Sequence, residues 1–195
     1  MHRTLLIAGA AAAAMSVAAC GQRTETKGAA TPAEQAATPS ANPAATIPTP
    51  SNEAAAPDFV NKAAASDMFE IEAAKIAQKR GQNAEVKKFA DKMIADHTAI
   101  TANLKKAVAD SGQAITLPTA LPADLQDKLD DLNKAGNFDR AYMDNQVDAH
   151  QAALDVMQRF AQDGDVPTIR SFAAATAPMI QQHHDQAKGI RDALK

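Results

Sequence analysis

Four ionisable side chains lie on helical faces of the sequence that are otherwise apolar. They are Glu70, His97, His150 and His183. A helical residue advances by about 100° around the axis, so apolar residues three and four positions apart mark the buried face. Each of the four falls on that face of a different long helix, and a carboxylate or imidazole is expensive to bury unless it is paired or coordinated. We therefore predict that the four side chains meet in one layer of the folded domain.

This residue set favours a mononuclear metal site. Imidazole and carboxylate groups suit Zn, Cu, Fe, Mn or Ni, and a divalent transition-metal ion would offset the buried charge of Glu70. An open coordination position would also let the ion activate water. Two alternatives stay open. In one, Glu70 is ionised and bonded to one protonated histidine in a metal-free network that fixes helix register. In the other, the histidines do not meet.

Residues beside the four give weaker signals. Asp96 lies off the centre of its apolar face, and it either orients an imidazole from another helix or faces solvent. Gln146 lies one turn before His150 and is a candidate hydrogen-bond partner of a site histidine. His184 is expected on an exposed flank. Methionines at helical spacing favour core packing over copper ligation.

Amphipathic helices must position these residues, and nothing in the sequence indicates a strand. Asp58 is a plausible N-cap of the first helix, and Pro178 predicts a kink in the last one. The predicted helices run over residues 58–80, from the Asn83 cap to Gly112, over 123–134, from the Asn137 cap to about 163, and from 165–167 to 195. Long helices with short first and last connections are typical of an all-α four-helix bundle, with a short extra helix in the middle connection.

Several segments around these residues resemble a known bacterial family. They are Phe69–Ile71, Phe89–Thr98, Phe138–Tyr142 leading to His150, and Pro178 followed by His183. They are similar to the bacterial domain of unknown function 4142, in order over residues 58–195. The resemblance implies an exported, often lipid-anchored, ferritin-like bundle whose glutamate and histidines correspond to Glu70, His97, His150 and His183. It implies no particular activity.

A di-iron centre of the ferritin type is not expected. Such a site needs a Glu on each of two helices and a Glu-x-x-His pair on each of the other two. The residues three positions before the histidines are Ile94, Val147 and Ile180. Ferroxidase or iron-storage chemistry is therefore not supported, and the sequence is compatible with an enzyme and with a non-catalytic protein.

The first twenty residues, 1–20, predict an export signal of the lipoprotein type. Val17–Cys20 resembles the bacterial lipobox, in which the cysteine is diacylated and becomes the mature N-terminus. Cys20 is the single cysteine of the chain. Two or more acyl chains suffice for stable anchoring, and Gly21 does not call for inner-membrane retention. The sequence thus predicts a lipoprotein on the periplasmic face of the envelope, anchored in the outer membrane. The alternative is an ordinary secretory signal cut near Ala19.

Residues 21–57 hold many of the ten prolines and no apolar periodicity. We expect them to form a disordered Ala/Pro/Thr-rich tether, so that the folded domain spans 58–195. The formal net charge of −3 gives no basic excess, and nucleic acid is therefore not expected as a partner.

The sequence thus predicts an exported, lipid-anchored helical bundle of unknown biological role that binds one metal ion at its Glu/His cluster. A non-catalytic module that binds another envelope protein is the alternative, with the cluster as a metal-free structural network. A hydrolase using metal-bound water is a third hypothesis. A wide opening above the cluster would favour the hydrolase, whereas a sealed core with an exposed apolar patch would favour the interaction module.

Overall fold

The structure, a computed structural model, describes residues 54–194. All of them belong to the second of the two units into which the chain divides, residues 46–195. The helices are α1 (Ala56–Arg80), α2 (Ala84–Ser111), α3 (Ala123–Lys134), α4 (Phe138–Asp163) and α5 (Pro167–Ala193). No strand occurs in this described part, so the predicted all-α class is confirmed. The predicted export signal with Cys20, and the tether up to residue 53, lie outside the described residues.

The four long helices form a bundle in which each packs on two neighbours. Helix α1 contacts α2 and α4, and α5 contacts the same two helices, which gives the order α1, α2, α5, α4 around the bundle. The short helix α3 lies in the middle connection and packs on α1 and α4. The predicted four-helix bundle with a short extra helix is therefore confirmed. Between residues 54 and 194, no helix is long and apolar enough to cross a membrane.

The core consists of two apolar clusters at different heights of the bundle. One contains the stacked rings of Phe59 and Phe160, together with Ile100 and Ile180. The other contains residues nearer the opposite end of each helix. Its larger members are Phe69, Phe89, Met93, Phe138, Tyr142 and Met143. Met93 and Met143 are fully buried in this cluster, consistent with a packing role.

Helix ends follow the predicted caps in three places. The side chain of Asn83 accepts hydrogen bonds from the amides of Glu85 and Val86, and Asn137 accepts one from Arg140 N. Gly112 closes α2 at φ 67°, in the left-handed region that favours glycine. Pro178 lies inside α5, as predicted.

The start of α1 differs from the prediction. The helix begins at Ala56, inside the predicted tether, and Asp58 is not its cap because Ala55 holds that position without a side-chain bond. Asp165 from the α4–α5 connection supplies the missing acceptor. Its Oδ1 accepts from Ala56 N at 2.9 Å, and its own amide donates to Ala54 O at 3.0 Å. An acceptor over a hundred residues away in sequence is invisible to local capping rules.

Replacement of this remote cap should destabilise the bundle. We expect Asp165→Ala to lower the free energy of unfolding by about 1 kcal/mol, because an N-terminal amide of α1 loses its acceptor. Urea denaturation followed by circular dichroism measures the difference. Asp163→Ala, an exposed change two residues away, is the control and should shift stability by less than about 0.5 kcal/mol. Equal losses in the two variants would contradict the capping role.

Candidate metal centre

Three of the four predicted site residues meet in the bundle. His97 of α2, His150 of α4 and His183 of α5 are all buried, with 0–1% of each residue exposed. Each offers one candidate ligand nitrogen, and these atoms all lie within 4.8 Å of one another. Along every helix that carries them, the histidines fall between the residues of the two apolar clusters. The imidazoles therefore form a polar layer that separates two apolar cores.

His97 is held from its outer side by a carboxylate on α1. Its Nδ1 lies 2.8 Å from Oδ1 of Asp67, which is itself only 3% exposed. The other oxygen of Asp67 accepts from the Thr101 hydroxyl at 2.9 Å. With Nδ1–H donating to Asp67, Nε2 of His97 faces the layer, 3.5 Å from Nε2 of His150.

His150 is oriented by its own helix. Its Nδ1–H donates to the backbone carbonyl of Gln146 at 2.8 Å, which leaves the lone pair of Nε2 for the layer. Two nitrogens on one ion, each at a bond length of about 2.0–2.1 Å, are separated by about 3.3–3.6 Å when the N–metal–N angle is about 110–120°, as in tetrahedral or trigonal coordination. The observed Nε2–Nε2 distance between His97 and His150 is 3.5 Å. This pair therefore already has the spacing of two ligands of one metal ion.

His183 has an unpaired nitrogen in the core. Its Nε2 lies 2.8 Å from Oδ2 of Asp96 and 3.0 Å from Nζ of Lys92. Its Nδ1 is buried and has no hydrogen-bond partner. When Nε2–H donates to Asp96, Nδ1 keeps its lone pair and is the nitrogen free for the layer. A buried nitrogen lone pair that accepts no hydrogen bond is costly, and coordination to a cation would satisfy it.

Each imidazole thus turns one nitrogen inward while an oxygen fixes the other. The acceptors are the Asp67 carboxylate, the Gln146 carbonyl and the Asp96 carboxylate. Metal-ligating histidines almost always donate their second N–H to such a group, which sets tautomer and ring orientation. The first of the two interpretations of Asp96 is the one observed, since it orients an imidazole from another helix. Gln146 contacts His150 through its backbone rather than its side chain.

Asp67 is the functional residue that sequence reasoning missed. It lies three positions before Glu70 on α1 and is buried on the same side of the helix. That spacing was the available signal, because residues three apart share a helical face.

Glu70 is buried, at 1% exposure, but it does not join the group of close ligand atoms. Its Oε2 accepts from the Gln146 side-chain amide at 2.5 Å, and its Oε1 has no partner. The metal-free alternative paired Glu70 with a protonated histidine. In the structure, the carboxylate bonded to His97 is Asp67 instead. His184 was expected on an exposed flank, but its side chain is largely covered, at 15% exposure, and contacts Asp185.

The pKa values of the three histidines diverge. Burial lowers the pKa of His183 to about 3, despite its hydrogen bond to Asp96. Burial likewise lowers the pKa of His150, outweighing the opposing charge of Glu70. For His97, burial acts downward, but the hydrogen bond to Asp67 and the charge of Glu70 raise its pKa overall. His150 and His183 are therefore neutral and ready to ligate at neutral pH, whereas the Asp67 carboxylate favours the protonated form of His97.

A cavity of about 570 Å³ reaches the outer side of this centre. It lies between α1, α3 and α4, and Asp67 and His97 line it, whereas His150 and His183 do not. Its lining also includes charged side chains on three helices, namely Lys62, Asp124, Lys128 and Asp148. The cavity therefore approaches the centre at the Asp67–His97 pair.

Fold and site together define a helical-bundle protein with a buried three-histidine centre. The chain belongs to the family of the domain of unknown function DUF4142, whose model matches residues 32–190. The family resemblance drawn from the sequence is thereby confirmed.

Two solved structures share the fold at low sequence identity. CopM in the Cu(II)-bound form has a TM-score of 0.60 and 17% identity, covering 71% of this chain and 97% of CopM. CopM in the Cu(I)-bound form has a TM-score of 0.58 and 18% identity, covering 69% of this chain and 94% of CopM. No curated protein is significantly similar to the sequence.

The divergent pKa values are directly measurable. In protein stripped of metal by a chelator, we expect the pKa of His97 to lie above the ordinary histidine value of about 6.5. At that pH, His150 and His183 should both be neutral. Asp67→Asn should lower the pKa of His97, because the carboxylate that favours the imidazolium is gone. Proton–nitrogen correlation NMR as a function of pH gives these values. The control is Asp110→Asn, an exposed substitution on α2, the helix that carries His97. It should leave the pKa of His97 unchanged. A wild-type His97 that titrates below 6.5 would refute the assignment.

Proposed function

We propose that this protein binds one transition-metal ion, copper foremost, through His97 Nε2, His150 Nε2 and His183 Nδ1. The observation that carries the proposal is the buried convergence of three imidazoles whose outer nitrogens are each held by an oxygen acceptor. The orphaned Nδ1 of His183 and the 3.5 Å spacing of the other two nitrogens support it independently.

The donor set narrows the choice of ion. Imidazole nitrogens suit copper and zinc better than magnesium, calcium or manganese, which prefer oxygen ligands. Cys20 is the only cysteine, so a thiolate cluster is not available. Both CopM structures that share the fold are copper-bound forms, which favours copper among the remaining ions.

Glu70 is proposed to complete the site. Three neutral imidazoles leave the charge of a cation uncompensated inside the protein. Glu70 is a buried carboxylate whose charge helps to raise the pKa of His97 and opposes the lowering of the pKa of His150. Its Oε1 has no partner, so it is the candidate fourth donor after a side-chain rotation. Asp67 and Asp96 would add further negative charge from the outer side of His97 and His183.

The arrangement supports holding an ion rather than turning over a substrate. The three imidazoles lie between two apolar clusters, and the cavity beside them is lined by His97 but not by His150 or His183. A hydrolase would need an open path to the ion itself. The interaction-module alternative would need an exposed apolar patch. Among residues 54–194, Met179 is the exposed large hydrophobic side chain, at 40%, and one methionine does not make such a patch.

We also propose that the protein is exported and anchored to the outer membrane through Cys20, facing the periplasm. The support is the sequence Val17–Cys20 and the proline-rich stretch before α1. Metal binding in that location fits a role in envelope metal handling, with a second envelope protein as a candidate partner.

Metal content tests the proposed site. The untagged chain is stripped with a chelator, incubated separately with Cu, Zn, Mn or Fe, and desalted, and its metal is measured by mass spectrometry. We expect about one ion of copper per chain, because the three nitrogens converge on one point. His150→Gln and His97→Gln should each abolish near-stoichiometric loading. Circular dichroism and urea denaturation show whether these variants remain folded.

His184→Gln is the matched control. This histidine neighbours His183 in sequence but points to the flank of α5 and contacts Asp185. The His184→Gln variant should retain the same metal content as the parent chain. Failure of the parent chain to retain any of the four metals would refute the metal function and leave the metal-free network.

The membrane anchor is testable by fractionation of cells expressing the full chain. We expect the parent protein in the outer-membrane fraction and Cys20→Ser in the soluble periplasmic fraction, because acyl chains on the cysteine provide the anchor. Mass spectrometry of the mature N-terminus identifies the lipid. Ser16→Ala, a small change within the same segment, should leave the protein with the membrane. Outer-membrane association that survives Cys20→Ser would contradict lipidation at this residue.

A further inference from the structure

The position of one proton decides whether His183 is able to bind a metal. A neutral imidazole carries its proton on either Nδ1 or Nε2, and only the bare nitrogen is a ligand. The nitrogen of His183 that is buried without a hydrogen-bond partner is Nδ1, which is therefore its candidate ligand atom. His183 is therefore competent when the proton is on Nε2 and blocked when it is on Nδ1.

Two side chains of α2 compete for Nε2 of His183. Oδ2 of Asp96 lies 2.8 Å from this nitrogen. As a carboxylate oxygen, it can only accept a hydrogen bond from Nε2–H. Nζ of Lys92 lies 3.0 Å away and can only donate to it. The two partners thus require opposite protonation of the same atom. Lys92 and Asp96 also contact each other as an i,i+4 ion pair.

Each partner selects one tautomer. Donation from Nε2–H to Asp96 leaves Nδ1 bare, which is the metal-binding form. Donation from Lys92 to Nε2 moves the ring proton to Nδ1, where it points into the layer without an acceptor. The net proton count is the same in both forms, so the pair selects between tautomers without adding or removing charge on the ring.

We propose that Asp96 is a positioning residue that commits His183 to its metal-binding tautomer, and that Lys92 opposes it. This inference rests on the proposed function for its effect on metal affinity. Its effect on the tautomer of the metal-free protein is independent of any metal. By accepting from Lys92 as well, Asp96 also draws that ammonium away from the imidazole.

The location of the pair makes it accessible to mutation. The side chains of Asp96 and Lys92 are 27% and 38% exposed, so substitutions there do not open a cavity in the core. The same helix carries a second i,i+4 Lys–Asp pair, Lys106 and Asp110, which is exposed and does not contact a histidine. That second pair is a matched control for the loss of a helical ion pair.

The two substitutions should change copper affinity in opposite directions. Asp96→Ala leaves Lys92 as the only partner of Nε2, and we expect affinity to fall by about 10–100-fold, as for other outer partners of ligating histidines. Lys92→Leu removes the competing donor and a positive charge near the ion without adding a sulfur ligand, and we expect affinity to rise by roughly threefold. Competition titration with a chromogenic copper chelator measures both. Asp110→Ala and Lys106→Leu should leave affinity unchanged.

A purely structural ion pair predicts a different pattern. If Lys92 and Asp96 only stabilised α2, either substitution would act in the same direction, and the control pair would do the same. If the substitutions at positions 92 and 96 change copper affinity in the same direction, the proposal is overturned.

The metal-free protein provides the second readout. In long-range proton–nitrogen correlation spectra, we expect the His183 ring proton on Nε2 in the parent chain and in Lys92→Leu, and on Nδ1 in Asp96→Ala. An Nε2–H tautomer that persists in Asp96→Ala would refute the inference even if copper binds. Conversely, failure to bind any of the four metals, together with the expected change of tautomer, would refute the proposed function and leave the positioning role of Asp96 standing.

Discussion

A layer of imidazoles buried between two apolar clusters is the constraint on which the rest of this bundle depends. Buried polar nitrogens must find partners, and apolar neighbours above and below provide none. Every long helix contributes to the solution, with histidines on α2, α4 and α5 and the Asp67 carboxylate on α1. A shift of any helix by one turn, about 5.4 Å, would place an unsatisfied nitrogen in an apolar core. The layer therefore specifies register more strictly than apolar packing, which tolerates sliding of similar side chains.

Much of this arrangement is readable from the sequence, because it follows from local rules. Helical periodicity placed the three histidines and Glu70 in the interior, and asparagine caps and glycine breaks located most helix ends. The start of α1 was not predictable in this way. Its acceptor, Asp165, comes from the connection between α4 and α5, and no local pattern links the two.

The carboxylates show where periodicity ceases to be informative. A helical pattern gives the direction of a side chain around the axis, but it does not give the height at which that side chain meets another helix. Asp67 and Glu70 share a face and differ by three residues, about 4.5 Å along the axis. That difference puts Asp67 against His97 and Glu70 against the Gln146 amide. The tautomer of His183 is likewise set by Lys92 and Asp96, which meet it only after α2 and α5 have packed.

The distribution of the histidines over the chain has a mechanical consequence. His97 belongs to the hairpin of α1 and α2, whereas His150 and His183 belong to the hairpin of α4 and α5, with α3 in the connection between them. An ion shared by the three would tie two halves that the chain joins at a single point. Such a tie restricts the unfolded chain as a disulfide does, closing a loop of 53 residues between His97 and His150. It would be opened by chelators and would need no disulfide bond, a form of cross-linking open to a protein with one cysteine.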